Sequence, residues 1–254
     1  MLSVRILSVA QCDEALMDSA EALVAEQWPL FMLCSPVTER YWDALYNKKN
    51  IPFQQVAVAT IAGKPQVVGL LSAIAFYFPD NAPLTDLPDG GWDAVLTQGA
   101  TESCEPTFVC ALAATVDPDF RGRGIAAQLI NALKTAVIDA GLKGLVVPVR
   151  PTLKAQYPLQ DFTEYCQWQT PQREPFDPWI RTHVRLGGQI IKPTLCSMTI
   201  AASAETWSEW TGMTFAHAGQ YIVPGALVPV EADPAADLVV YREPNLWIYH
   251  PLSE

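Results

Sequence analysis

The most constraining feature of this 254-residue chain is a tight glycine–arginine turn that joins a buried apolar run to an amphipathic helix. The run Thr107 to Val116, TFVCALAATV, is apolar at nearly every place and reads as a strand covered on both faces. Asp117 and Pro118 end it, and Phe120-Arg121-Gly122-Arg123-Gly124-Ile125-Ala126 follows. Ala126, Ile130, Leu133 and Val137 then recur along one helical face to about Ala140, with Leu129 widening the stripe. Gly141 and Gly144 close the helix and open a second strand, Leu145 to Val149. Strand, helix and strand in this order form a right-handed crossover with a parallel strand pair. The fold class is therefore α/β.

The turn itself suits an anion. Gly122 and Gly124 permit successive N–H groups to converge and leave no Cβ in the way of a ligand. The helix that starts there presents unpaired amides and the positive end of its dipole. Arg121 and Arg123 add positive charge in an otherwise acidic chain, and together these groups fit a pyrophosphate. The plain alternative is a strand-to-helix turn with both arginines in solvent. A dinucleotide fingerprint fits poorly, because Asp139 lies in the helix rather than at the end of the next strand. A nucleoside-triphosphate loop, G-x-x-x-x-G-K-S/T, is absent.

Ahead of this unit, Val4 to Val9 reads as a strand and Asp13 to Gln27 as a helix. Pro36 to Tyr46 reads as a second helix with Pro at its start. Gln55 to Ile61 and Val67 to Tyr77 flank the turn Ala62-Gly63-Lys64-Pro65 and predict an antiparallel hairpin. Residues 79–106 carry prolines, glycines and acids but no Lys or Arg, and read as a long loop, either a structural insertion anchored by Trp92 and Leu96 or part of a substrate wall. Beyond Pro151 the expectations are a short helix at Thr152 to Tyr157, a helix capped by Asp177 and ended by Gly187, and strands at Gln189 to Lys192 and Cys196 to Ile200. A short helix at Ala204 to Trp210 and strands at Tyr221 to Val223 and Leu238 to Tyr241 follow.

Composition excludes several function classes. Half of the residues are hydrophobic and 17% are charged, which is far from a disordered chain. The formal charge of -11 disfavours nucleic acid and anionic membranes, and modestly favours a cationic partner or an amine substrate. The opening segment reaches Gln11 to Glu14 too early for a signal peptide, and no apolar run is long enough to span a membrane, so a soluble cytoplasmic protein is expected. Six scattered Cys and three distant His form no metal or disulfide pattern, so no metal is expected. Cys110, amid Phe108, Val109, Ala111 and Leu112, reads as a buried structural thiol rather than an acyl-carrying nucleophile.

The run from Val116 to Ala126 resembles the phosphate motif of the GCN5-related N-acetyltransferase superfamily, Q/R-x-x-G-x-G/A, with Arg121, Gly124 and Ala126 at its three fixed places. The resemblance rests on residues 107–149 and extends in element order from Val4 to about Ile191. It implies a mixed central sheet of the acyl-CoA N-acyltransferase type with helices on both faces. It also implies a single domain over 1–254, with an insertion at about 79–106 and a subfamily-specific C-terminal extension from about 196. That extension makes a dimer interface or seals a larger monomeric core. The co-substrate implied is acetyl-CoA or a related acyl-CoA, its pantetheine arm along Ala113, Thr115 and Val116 and its pyrophosphate on Arg121, Gly122, Arg123, Gly124, Ile125 and Ala126. The acceptor implied is a small-molecule amine that attacks the thioester directly. The family motif N-x-x-A-x-x-x-Y-x-x-x-G-F is not kept; His183 takes its Tyr place in one alignment and Tyr157 in another, and these are the two expected proton carriers. Two rival readings use the same slot: a decarboxylase or acyl-unloading enzyme acting on malonyl-CoA or a carrier thioester, and a non-catalytic acyl-CoA-binding module.

Overall fold

The computed structural model of the chain describes residues 4–252. Strand β1 (Val4–Ser8) leads into helix α1 (Glu14–Gln27), whose cap is Asp13, its carboxylate accepting from the Leu16 amide at 3.0 Å. Two short helices follow, α2 (Leu30–Leu33) and α3 (Pro36–Tyr41), the latter tightening into a 3-10 turn over Trp42–Tyr46. Strands β2 (Gln55–Ile61) and β3 (Lys64–Phe76) form the expected hairpin, joined by Ala62 and Gly63 at positive φ, the left-handed pair that suits a two-residue turn.

The stretch expected as a long loop contains a helix, α4 (Gly91–Thr101), which buries Trp92, Val95, Leu96 and Gly99. The spacing of those four places is helical, but the flanking Pro88, Gly90 and Gly91 disguise it as loop. Strand β4 (Phe108–Val116), helix α5 (Ile125–Asp139) and strand β5 (Gly144–Val149) give the predicted crossover, with β4 and β5 parallel. Leu129, Ile130, Leu133 and Val137 of α5 are buried against the sheet, each contributing about 1.5–3 kcal/mol. The short helix expected at Thr152 to Tyr157 is reduced to a 3-10 turn at Lys154–Gln156.

Helix α6 (Phe162–Cys166) and helix α7 (Pro178–Arg185) come next, and Asp177 caps α7 through the Trp179 and Ile180 amides. The two strands expected after it are one, β6 (Gln189–Ala202), with its pairing interrupted between Thr194 and Met198. Helix α8 (Ala204–Thr211), strand β7 (Gly219–Tyr221), strand β8 (Val230–Asp233) and strand β9 (Leu238–His250) complete the described chain.

The mixed sheet runs β1-β2-β3-β4-β5-β9-β8-β7, and β6 pairs with the other edge of β9. The segment beyond Cys196 therefore supplies an interior strand: residues 246–249 of β9 lie between β5 and β6. Helices α5 and α7 cover one face through Ile125, Leu129, Leu133 and Ile180. On the other, α2, α4 and α8 pack through Phe31, Val95, Leu96 and Trp207. A Cβ on Gly99 meets the Ala75 carbonyl and the Ile74 side chain at 2.8 Å, so α4 is seated against β3 with no spare volume. Gly99→Ala is expected to cost about 1–3 kcal/mol in urea unfolding through overpacking; an unchanged midpoint disproves this seating.

Candidate active site

Strands β4 and β5 pair at Phe108↔Gly144, Val109↔Leu145 and Cys110↔Val146, and no further. Beyond that point β4 stays with β3 as far as Val116, and β5 stays with β9 as far as Val149. Each strand keeps its outer partner and loses its inner one, so a wedge opens toward their C-terminal ends. The resulting slot of about 400 Å³ is lined by Ala111 to Val116 of β4, by Val147, Pro148 and Val149 of β5, and by His183 of α7. Ala113, Thr115 and Val116, named from the sequence, all face it. The backbone of β4 has no ladder partner on this side, so an extended arm carrying amides can dock as an added strand.

The mouth of the slot is the glycine turn. Gly122 and Gly124 take φ of +75° and +78°, and Gly124 is the uncapped N-terminal boundary of α5. Among the described residues, the amides of Gly122 through Ala126 donate to no protein acceptor, and a Cβ on either glycine meets nothing within 4 Å. Arg121 and Ala126 line the slot. Arg121 is held by the Val116 carbonyl at 3.1 Å and by Gln27 Oε1 at 2.9 Å, whereas Arg123 lies over the Phe120 ring at 5.2 Å. Free amides, a helix dipole and two guanidinium groups make an electropositive cradle of the kind phosphates occupy.

A second cavity, of about 630 Å³, lies on the α1 and α4 side of the sheet. The two cavities share Trp28, Leu71, Leu112, Ala113, Thr115, Pro148 and Arg150 as a common wall. At this wall the β3–β4 register slips: Ser72 opposes Ala113 and Ala73 opposes Ala111, leaving Leu112 as the extra residue. Such a bulge turns backbone groups out of the ladder, and the Leu112 carbonyl accepts instead from Trp92 Nε1 at 2.8 Å. Trp28 donates from Nε1 to Thr115 Oγ1 at 2.8 Å.

The two expected proton carriers are placed very differently. Tyr157 packs with Tyr165, Trp168 and Phe176 in an aromatic cluster that borders neither cavity. His183 is 1% exposed and stands in the slot wall. Its Nδ1 meets Nε2 of His250 at 2.8 Å, and its Nε2 has no protein partner. Burial, then His250 and Lys134, hold His183 well below the ordinary range; burial and Lys134 bring His250 down to about 4. The titration near neutrality expected for a free imidazole is thus removed by the low-dielectric site, and both rings are neutral at pH 7.

A charged group behind the shared wall is absent from the expected site residues. Glu243 of β9 is 1% exposed and accepts at Oε2 from Arg150 Nε at 2.9 Å and from the Tyr241 hydroxyl at 3.0 Å. Burial opposes the charge of Arg150, but Glu243 and Tyr241 outweigh it and raise the guanidinium. Asn245 Nδ2 reaches Glu243 Oε1 at 3.3 Å, leaving that oxygen the less occupied. A lone acid inside the apolar run VVYREPNLWIYH was the available signal. Among the described residues, no three His, Cys, Asp or Glu side chains gather as a metal site, and no helix is long and apolar enough to cross a membrane.

Comparison with known proteins accounts for this arrangement. The model of the Acetyltransferase (GNAT) family matches residues 20–162, more than half of the chain, and the chain belongs to that family. It is accordingly an acyl-CoA-dependent N-acyltransferase. A curated relative from Aspergillus versicolor, described as "Arginine N-acetyltransferase avaD", is 34% identical over 251 residues, covering 89% of this chain and 85% of the relative. Among solved structures, the loading GNATL domain of CurA from Lyngbya majuscula aligns with a TM-score of 0.58 at 14% identity, over 99% of this chain and 98% of that one. The GphF GNAT-like decarboxylase in complex with isobutyryl-CoA aligns with a TM-score of 0.58 at 15% identity, over 99% and 100%. These two show a shared fold.

The histidine pair sets a pH dependence of stability. His250 titrates near 4 when folded and near 6.5 when free, so between these values the unfolded chain binds more protons. Stability from this group is complete above about pH 6.5 and is lost as pH falls toward 4. Asp93, raised to about 6 chiefly by burial, acts with the opposite sign between its ordinary 3.8 and that value. His250→Gln is expected to flatten the fall in urea midpoint between pH 6.5 and 4; an unaltered slope removes His250 as its source.

Proposed function

We propose that this protein transfers the acetyl group of acetyl-CoA to a nitrogen of an arginine-type small molecule by direct attack in a ternary complex. The observation that carries this reading is the single wall shared by the two cavities at the Leu112 bulge. A thioester in the slot and an amine in the second cavity meet there without either crossing the sheet. Holding both reactants in this way contributes much of the rate enhancement.

The pyrophosphate occupies the amides from Gly122 through Ala126, between Arg121 and Arg123, and the pantetheine arm runs along Ala113, Thr115 and Val116. Backbone N–H groups turned out at the bulge stabilise the oxyanion as the neutral nitrogen attacks. The C–N bond forms, the C–S bond breaks, the nitrogen loses a proton and the thiolate gains one. Neutral His183, in the wall of the slot, is the residue assigned to contact the pantetheine or thiol end. Tyr157, outside both cavities, is given no part. The acceptor class is supported by the curated relative and by the lining of the second cavity, where Glu21, Asp43 and Glu243 accompany Trp28, Trp42 and Tyr46. A malonyl-type decarboxylase calls for a basic acyl-end pocket; Arg150, the cation at the junction, is already paired with Glu243.

Initial rates measured while varying acetyl-CoA and an arginine-type amine are expected to give intersecting lines; parallel lines refute direct transfer. Gly124→Glu places bulk and negative charge in the phosphate turn and is expected to weaken CoA binding at least about tenfold. Wild-type affinity of this variant in calorimetry refutes the phosphate placement. His183→Ala is expected to lower turnover or CoA affinity, whereas Tyr157→Phe leaves both unchanged; the reverse pattern exchanges their roles.

A further inference from the structure

The acceptor cavity has an uneven charge inventory along its depth. At the mouth stand Glu21 and Asp43, both exposed, beside Tyr46, whose phenol is raised by burial and then by these two carboxylates. At the bottom, against the wall shared with the slot, lies the buried Glu243 with Asn245. Between them the walls are aromatic and apolar: Trp42 and Trp92 lie nearly parallel at 6.1 Å, facing the same space as Trp28 and Met32. Such rings attract a guanidinium or ammonium through their faces.

The cations are as informative as the acids. Among the described residues that line the cavity, Arg150 is the single positively charged side chain. Its Nε is engaged by Glu243, its Nη2 by the Gly225 carbonyl, and its guanidinium lies 5.8 Å from the Trp28 ring centre. Among the described residues Arg150 Nη1 has no protein acceptor, but its charge is already balanced by Glu243, so a carboxylate on the acceptor finds only a neutralised cation. At the mouth such a carboxylate stands beside Glu21 and Asp43, at the bottom beside Glu243, and in between it is buried against indoles without a counter-ion, which is the costliest case.

We infer that the acceptor is a guanidine or amine without a free carboxylate: an arginine derivative whose acid is absent or masked as an ester or amide. This rests on the proposed acetyl transfer and narrows its substrate. The cationic head lies along the indole wall, the bottom carboxylate receives one charged or polar nitrogen through Glu243 Oε1, and the mouth carboxylates hold any second positive group.

The test uses the full-length protein with acetyl-CoA and follows thiol release. Agmatine, which is decarboxylated arginine, and arginine methyl ester are expected to exceed free arginine in kcat/KM by at least about tenfold, chiefly through KM. Free arginine turned over as well as either compound overturns the inference and leaves acetyl transfer standing. No turnover on any amine, with acetyl-CoA bound in calorimetry, overturns both. As a second arm, the double variant Glu21→Gln, Asp43→Asn lies at the exposed mouth and is expected to raise the agmatine KM several-fold with the acetyl-CoA KM unaltered. An unaltered agmatine KM removes the mouth carboxylates, and with them the charge-exclusion reading.

Discussion

The structure depends on an interrupted ladder. Three residue pairs join β4 to β5, and after Cys110↔Val146 the two parallel strands part. The backbone groups freed on the inner edges have to find partners or face a ligand, since buried unpaired amides are costly. Because β3 and β9 brace the outer edges, the separation is built into the sheet and does not rely on a mobile loop. The glycine turn follows directly from the diverging end of β4, which places the start of α5 at the open side of the wedge.

A second constraint operates at the wall between the cavities. Trp28 ends α1, donates to Thr115 on β4, and lies under the Arg150 guanidinium from the end of β5. Arg150 is in turn bound to Glu243 on β9, which also takes the Tyr241 hydroxyl. Four separate segments thus meet through side chains at the place where the two reactants would touch. A buried ion pair of this kind contributes little net stability, but loss of one member leaves the other charged and unpaired. Its service is to hold the wall in one geometry.

Much of this was legible in the amino-acid order, and the reasons for the remainder are physical. The crossover from Phe108 to Val149 was readable because its apolar periods switch cleanly from strand to helix and back, with glycines and a proline as punctuation. Helix α4 was hidden because Gly90 and Gly91 precede its apolar places, and the weight of tertiary contacts from Trp92 and Leu96 overrides poor local propensity. His183 is reached through motif position, but its depressed basicity comes first from burial and then from His250, far along the chain, and neither can be read locally. Glu243, Asp43 and Glu21 come together only through folding; no spacing connects them.

Strand β9 has a consequence for how the protein is made. Its residues 246–249 close the gap between β5 and β6, yet they are synthesised after β6, α8, β7 and β8. Until they emerge from the ribosome, β5 offers a bare apolar edge, Leu145 to Val149, to any neighbouring chain. Nascent chains stalled or cleaved short of Leu246 would carry that sticky edge and enter chaperone triage, so quality control of this enzyme turns on the closing segment of β9.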